Sequence, residues 1–262
     1  ARARGQAWAL RDARRRFGWG ELLDWVDSVA RHLHQAGVRR GQRVSVWLPS
    51  RAESVVVLLA CARNGYVCNP SLHQNYTVVE IVQLLERTRS AALVVQSDYG
   101  ADADSSDIVS AAQALPFMKA VYAVAGQKGA DSSPRARALP FPEAAPVPGP
   151  SVPADPDPDK IIYLAFTSGT TGVPKGVMHS DNTLLANGRA MVEDWNHDHS
   201  TILLSLSPMS HHIGTVALEQ MMAAGFELVV NDLPPGMKTI DWIVHTGTTY
   251  IMGVPTHAID VL

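Results

Sequence analysis

Cysteine is nearly absent: Cys61 and Cys68 are the two in a chain of 262 residues. With no secretory apolar stretch near Ala1, that scarcity excludes a disulfide scaffold, and both residues read as buried free thiols in a reducing cytoplasm. No apolar run reaches the ~18 residues that a membrane-spanning helix needs. Charge is also sparse. Acidic and basic residues together make 18% of the chain and net charge is −3, which leaves no broad face for nucleic acid or anionic lipid. The densest basic run, Arg11 to Arg16, is broken by Asp12 and reads as a solvated turn. What remains is 46% hydrophobic, a globular composition that can fill one large domain or two smaller ones.

The apolar pattern alternates between two periods. Leu22, Leu23, Val26, Val29, Ala30 and Leu33 recur at helical spacing, and Gly37 is placed to end that helix. A short strand follows at Arg43 to Pro49. Ser50 is placed to cap a second helix that runs to about Asn64, with Gly65 after it. Thr77 to Glu80 (TVVE) is a capping box at the start of a third helix. Ala91 to Gln96 and Ala120 to Ala125 read as buried strands. Alternating strands and helices predict an α/β fold of mostly parallel sheets flanked by helices.

Residues 126–159 hold nine of the 17 prolines and little periodic apolar pattern. Such a stretch cannot build a core, so it is expected to cross the surface between two subdomains, 1–125 and 160–262. In the second, strands are expected at Lys160 to Phe166, at TILLSLS, at FELVVN and at TYIMGV. Helices are expected from about Asn182 to Trp195, with Ser180 near its start, and from about Gly214 to Ala224.

Directly after the apolar strand comes Thr167-Ser168-Gly169-Thr170-Thr171-Gly172-Val173-Pro174-Lys175-Gly176. Glycines let a backbone approach a ligand closely and turn successive amide hydrogens inward as an anion-binding nest. The hydroxyls of Thr167, Ser168, Thr170 and Thr171 add donors, and Lys175 adds a full positive charge. The string points to phosphate. It is not a Walker loop, because its lysine lies three residues beyond Gly172 instead of directly after it.

TSGTTGVPKGV resembles the signature of the AMP-binding superfamily, which includes acyl-CoA synthetases, peptide-synthetase adenylation domains and luciferases. FGWGELLDWVDSVARHLHQAGVRRGQRVSVWLPS, MHSDNTLLANG, SLSPMSHHIGT and TYIMGVPTHAIDVL resemble other segments of the same family. Gly18 departs from it, standing where the family often has a capping Thr or Ser, so a weaker cap is expected there.

The resemblance implies the large N-terminal domain of the adenylate-forming fold and an ATP-dependent acid–thiol ligase. A carboxylic acid would be activated as acyl-AMP and passed to coenzyme A, with Mg2+ arriving on ATP. Thr167, Ser168, Gly169, Thr170, Thr171 and Gly172 would wrap the β- and γ-phosphates, and Lys175 would offset pyrophosphate charge. His211 falls where the family has an aromatic or His beside the acyl pocket. Its imidazole would contact the carboxylate or gate the pocket, or else be a core histidine bonded to backbone; His212 reads as structural.

The resemblance also implies that base, ribose and a second lysine are held by segments beyond Leu262. The chain taken alone is therefore expected to be inactive, and a face left uncovered there would favour dimerisation. A peptide-synthetase adenylation domain and a nucleotide-binding interaction module are the alternative readings. The acid stays open between fatty, alicyclic and aromatic.

Overall fold

The computed structural model describes residues 5–126, 138–145, 152–167 and 175–261. In chain order the elements begin with β1 (Trp8–Arg11), β2 (Arg16–Gly18), α1 (Trp19–Gln35), β3 (Arg43–Trp47), α2 (Ala52–Asn64) and β4 (Val67–Asn69). Next come α3 (Val78–Thr88), β5 (Ala92–Gln96), α4 (Ile108–Gln113), β6 (Ala120–Val124) and β7 (Leu139–Pro140). Then follow β8 (Ile161–Thr167), β9 (Lys175–Ser180), α5 (Asp181–Asp194), β10 (Ile202–Ser205) and α6 (His212–Ala224). The last are β11 (Glu227–Val230), α7 (Thr239–Thr246), β12 (Tyr250–Met252) and α8 (Pro255–Val261).

The strands form two sheets, in the orders β7-β6-β5-β3-β4-β8-β9 and β12-β10-β11-β1-β2. Every pairing is parallel except β1 with β2 and β8 with β9. Side-chain alternation assigns each face its cover. Val44, Val46, Ala92 and Val94 face inward, sharing one core with Leu22 and Val29 of α1, Val56 of α2, Ala217 of α6, and Leu10, Leu203 and Leu228 of the other sheet. Trp47, Leu93 and Val95 face outward under Ile81 and Leu85 of α3 and Ile108 of α4. Leu204 and Val229 lie under Trp242 of α7. The layers are therefore helix, sheet, helix, sheet, helix. Each fully buried Leu or Val contributes roughly 1.5–3 kcal/mol, so the shared inner core binds the two sheets into one body.

Sheet membership does not follow the expected division at 126–159. The β8–β9 pair, C-terminal to the proline-rich stretch, completes the sheet built from residues 43–140, while β1 and β2 join the sheet of β10 to β12. Arg16 fastens that second arrangement with two bonds to Glu227, of 2.8 and 2.7 Å. The Arg11–Arg16 turn is thus not merely solvated. Asp12 is buried and accepts from the Arg14 and Arg15 amides, and Arg15 reaches Glu53 at 2.8 Å.

Local signals held where their chemistry is local. Thr77 and Glu80 form the capping box, and Ser180 caps α5. Gly65 and Gly225 adopt left-handed conformations that end α2 and α6. Gly18 caps α1 without a side chain, and Glu21 accepts from its amide instead. The second helix departs from expectation, since its N-cap is Arg51 and not Ser50. The buried Arg51 guanidinium bonds Glu53, Gln96 and the Ala125 carbonyl, which fixes the start of α2 against the ends of β5 and β6. Ser50 accepts from the Met209 amide at 3.3 Å. Cys61 and Cys68 are buried free thiols.

Gly188 sets the approach of α5 to α6, because a Cβ there would lie 2.7 Å from the Glu219 backbone. Alanine would gain roughly 1 kcal/mol of helix propensity but add about 1–3 kcal/mol of overpacking. Gly188→Ala is therefore expected to destabilise the fold by up to about 2 kcal/mol, read as a lowered thermal midpoint. An unchanged or raised midpoint would show that the two helices can separate freely.

Candidate active site

Parallel strands deliver their carboxyl ends to one edge, where α/β folds commonly bind ligands. β4 ends at Asn69 and β8 at Thr167 on that edge, and the chain leaving β10 returns there before α6. These ends surround a cavity of about 150 Å3. Ser71 and His73 enter it from the segment after β4, Phe166 and Thr167 from β8, and His179 from β9. Ser210, His211 and His212 complete it at the start of α6.

Thr167 and Lys175 are paired across the last rung of the β8–β9 ladder. The chain thus leaves the sheet after Thr167, which lines the cavity, and is back in it at Lys175 on the neighbouring strand. Ser168, Gly169, Thr170, Thr171 and Gly172 lie outside the described residues. Lys175 is exposed, and among the described residues no carboxylate forms an ion pair with it. Two-residue alternation carries Lys175, Val177 and His179 along one face of β9, which is why a histidine four residues past the lysine reaches the cavity.

The imidazoles form two stacks. His211 lies on His73 with ring centroids 4.3 Å apart and 18° between planes. His212 lies on His179 at 5.1 Å and 9°, with Tyr163 at 5.6 Å from His212. Both His211 and His212 are exposed on the cavity wall, not enclosed in the core. Burial first and His211 second press His73 down to about 4. His211 is lowered by burial and then by His257, and His212 by burial and then by His179. The amino end of α6 adds the positive pole of a helix, which also disfavours protonated imidazole. His73, His211 and His212 are accordingly neutral at neutral pH. Gly214 lets the first turn of α6 close tightly, since a Cβ there would collide with the Pro208 carbonyl.

Thr215 and Glu219 continue the His212 face of α6 inward. Thr215 bonds the Tyr163 hydroxyl at 3.2 Å, and Asn187 donates to one Glu219 oxygen at 3.2 Å. Its other oxygen has no partner among the described residues, and burial pushes the carboxyl up to about 7.

Hydroxyls, a lysine and neutral imidazoles form a donor set suited to an anion. A profile described as "AMP-binding enzyme" matches residues 1–262, the full chain. The chain belongs to the AMP-binding enzyme family. "Protein Y" of Streptomyces griseus is 30% identical over 87% of the chain and 73% of its own length. A 2-hydroxy-7-methoxy-5-methyl-1-naphthoate–CoA ligase of Streptomyces carzinostaticus is 31% identical over 89% of the chain but 43% of its own length. Among solved structures, Mycobacterium smegmatis MbtA without ligand superposes with a TM-score of 0.82 at 26% identity, covering all of the chain and 47% of MbtA. The chain therefore spans about half the length of the naphthoate–CoA ligase and of MbtA, and its described residues form the AMP-binding fold of mostly parallel sheets.

Of the residues singled out in the sequence, Thr167 and His211 line the cavity, and Lys175 is paired with Thr167 in the β8–β9 ladder. His73 and His179 were not singled out, and His212 was read as structural. His179 was legible once the loop is taken as a hairpin, through its even spacing from Lys175. His73 had no local signal, because its partner Ser210 is 137 residues away.

Proposed function

We propose that this AMP-binding chain holds the triphosphate and acid in an ATP-dependent acid–CoA ligase. A carboxylate oxygen attacks the α-phosphorus of ATP, the bond to the bridging oxygen breaks, and pyrophosphate leaves. The thiolate of coenzyme A then attacks the acyl carbon and AMP departs. Thr167, residues 168–172 and Lys175 hold the β- and γ-phosphates, and His211 meets the carboxylate from the opposite wall. A neutral imidazole suits that place, since it donates one hydrogen bond without trapping the carboxylate as an ion pair.

The observation that carries this reading is the Thr167–Lys175 rung, which supports a phosphate-binding turn at the mouth of the cavity. Among the described residues, the cavity wall contains hydroxyl and imidazole groups and no carboxylate. That donor set fits phosphate oxygens and offers Mg2+ no anionic ligand, so the cation would be held by the phosphates it accompanies. The buried thiols support a reducing, cytoplasmic setting.

Acid-dependent exchange of labelled pyrophosphate into ATP by the intact protein tests the reading. Exchange that appears on adding an aliphatic, alicyclic or aromatic acid, followed by thioester formation on adding coenzyme A, is the expected result. Exchange absent with every acid class would overturn it.

A further inference from the structure

His211 does not stand alone on the cavity wall, and the group beneath it is unusually well anchored. His73 lies between β4 and α3, and its ring stacks on His211 at 4.3 Å. Its Nδ1 shares a hydrogen bond of 3.1 Å with the Ser210 hydroxyl, and Ser210 is buried. Tyr76 meets the ring edge-on at 5.4 Å. The His73 carbonyl accepts from the indole of Trp47 at 3.1 Å, and Trp47 is fully buried in the outer core. His73 is thus tied on three sides to groups that cannot move without disturbing the core.

Among the described residues, His211 has no comparable restraint. It is the N-cap of α6 but makes no side-chain cap bond, and its ring is exposed. A free imidazole would sample several rotamers, and only some would aim a nitrogen into the cavity. Stacking on a fixed ring removes that freedom before the acid arrives, and such preorganisation strengthens binding by reducing the ordering cost. The stack is also electrically permissible. Burial keeps His73 uncharged down to about 4, so the two rings do not repel at neutral pH.

We propose that His73 is a positioning residue whose ring fixes the plane of His211 and thereby sets affinity for the carboxylic acid, leaving affinity for ATP unchanged. The proposal rests on the acid–CoA ligase reading and adds to it a residue from a distant segment. The His179–His212 stack carries no such inference, because His179 belongs to β9 beside residues that are not described.

The test measures KM for the acid and for ATP separately, in pyrophosphate exchange by the intact protein. His73→Ala is expected to raise KM for the acid by roughly 3- to 10-fold, the scale of ordering one side chain on binding, with KM for ATP unchanged. His73→Phe keeps a flat ring on His211 and is expected to recover most of the loss. It also stands in should the alanine variant fail to fold. KM for the acid within about twofold of the parent, a parallel rise in both KM values, or failure of phenylalanine to restore the acid KM would each overturn the proposal. An intact protein with no acid-dependent exchange would instead overturn the ligase reading itself, an outcome distinct from an active enzyme indifferent to His73.

Discussion

Replacing Lys175 with alanine in the intact protein is expected to lower acid-dependent ATP–pyrophosphate exchange by about 10²–10³-fold, or ~3–4 kcal/mol of transition-state stabilisation, the scale of losing one preorganised charge-stabilising donor. Charge builds on pyrophosphate only while the bond to the α-phosphorus breaks. In the proposed role, the Lys175 ammonium would therefore act on that step more than on ground-state binding. Lys175 opens β9 and is pinned by its rung with Thr167, so its backbone does not have to be ordered when ATP arrives. Thioester formation from supplied acyl-AMP releases no pyrophosphate, and the variant is expected to keep that step within a few-fold of the parent. A variant that exchanges pyrophosphate at near-normal rate would refute the role. One that loses both steps equally would show a general defect instead.

Glu219 yields the second large effect, this time on stability. Its carboxyl is buried against α5 with one oxygen unpartnered among the described residues, and burial raises it from 4.5 to about 7. The fold thus prefers the protonated form. Its contribution is complete below the ordinary value of about 4.5, and it is lost as pH rises through about 7. The difference corresponds to about 3 kcal/mol between acid and alkaline conditions. Glu219→Gln keeps the shape and the contact with Asn187 but carries no titrating charge. It is expected to match the parent near pH 4 and to exceed its stability by about 3 kcal/mol near pH 8, measured by denaturant unfolding. Equal stabilities across that range would show that the carboxylate is solvated in the folded protein. The alternation of His212, Thr215 and Glu219 along α6 also explains why a carboxyl lies there, since it ends the polar face that begins at the cavity.

These expectations draw unequally on sequence and structure. Elements whose causes are local were legible. The Thr77–Glu80 box, the Ser180 cap and the glycines after α2 and α6 each act within a few residues of chain. The proposed phosphate turn is a reading of contiguous glycines, hydroxyls and a lysine, and its residues 168–174 lie outside the described ones. Sheet membership was not. Whether β8 pairs with β4 or β10 depends on partners about 40 to 95 residues away along the chain, and alternation looks the same in either sheet. The proline-rich stretch suggested a boundary from composition alone, yet the chain on either side contributes to both sheets. The cap at Arg51 was missed for the same reason, because the groups that hold its guanidinium come from β5 and the end of β6. The histidine stacks needed the fold as well. His211 and His212 are adjacent in sequence, but their partners come from two different segments.

The phosphate turn is the claim on which the chemistry depends. Hydrogen–deuterium exchange of the chain with and without MgATP tests it most directly, by reporting amide protection residue by residue. The account predicts that nucleotide slows exchange at 167–176, with smaller changes at the amino end of α6 and none at α7. Protection concentrated elsewhere, with 167–176 exchanging as fast in the presence of bound nucleotide as in its absence, would contradict it.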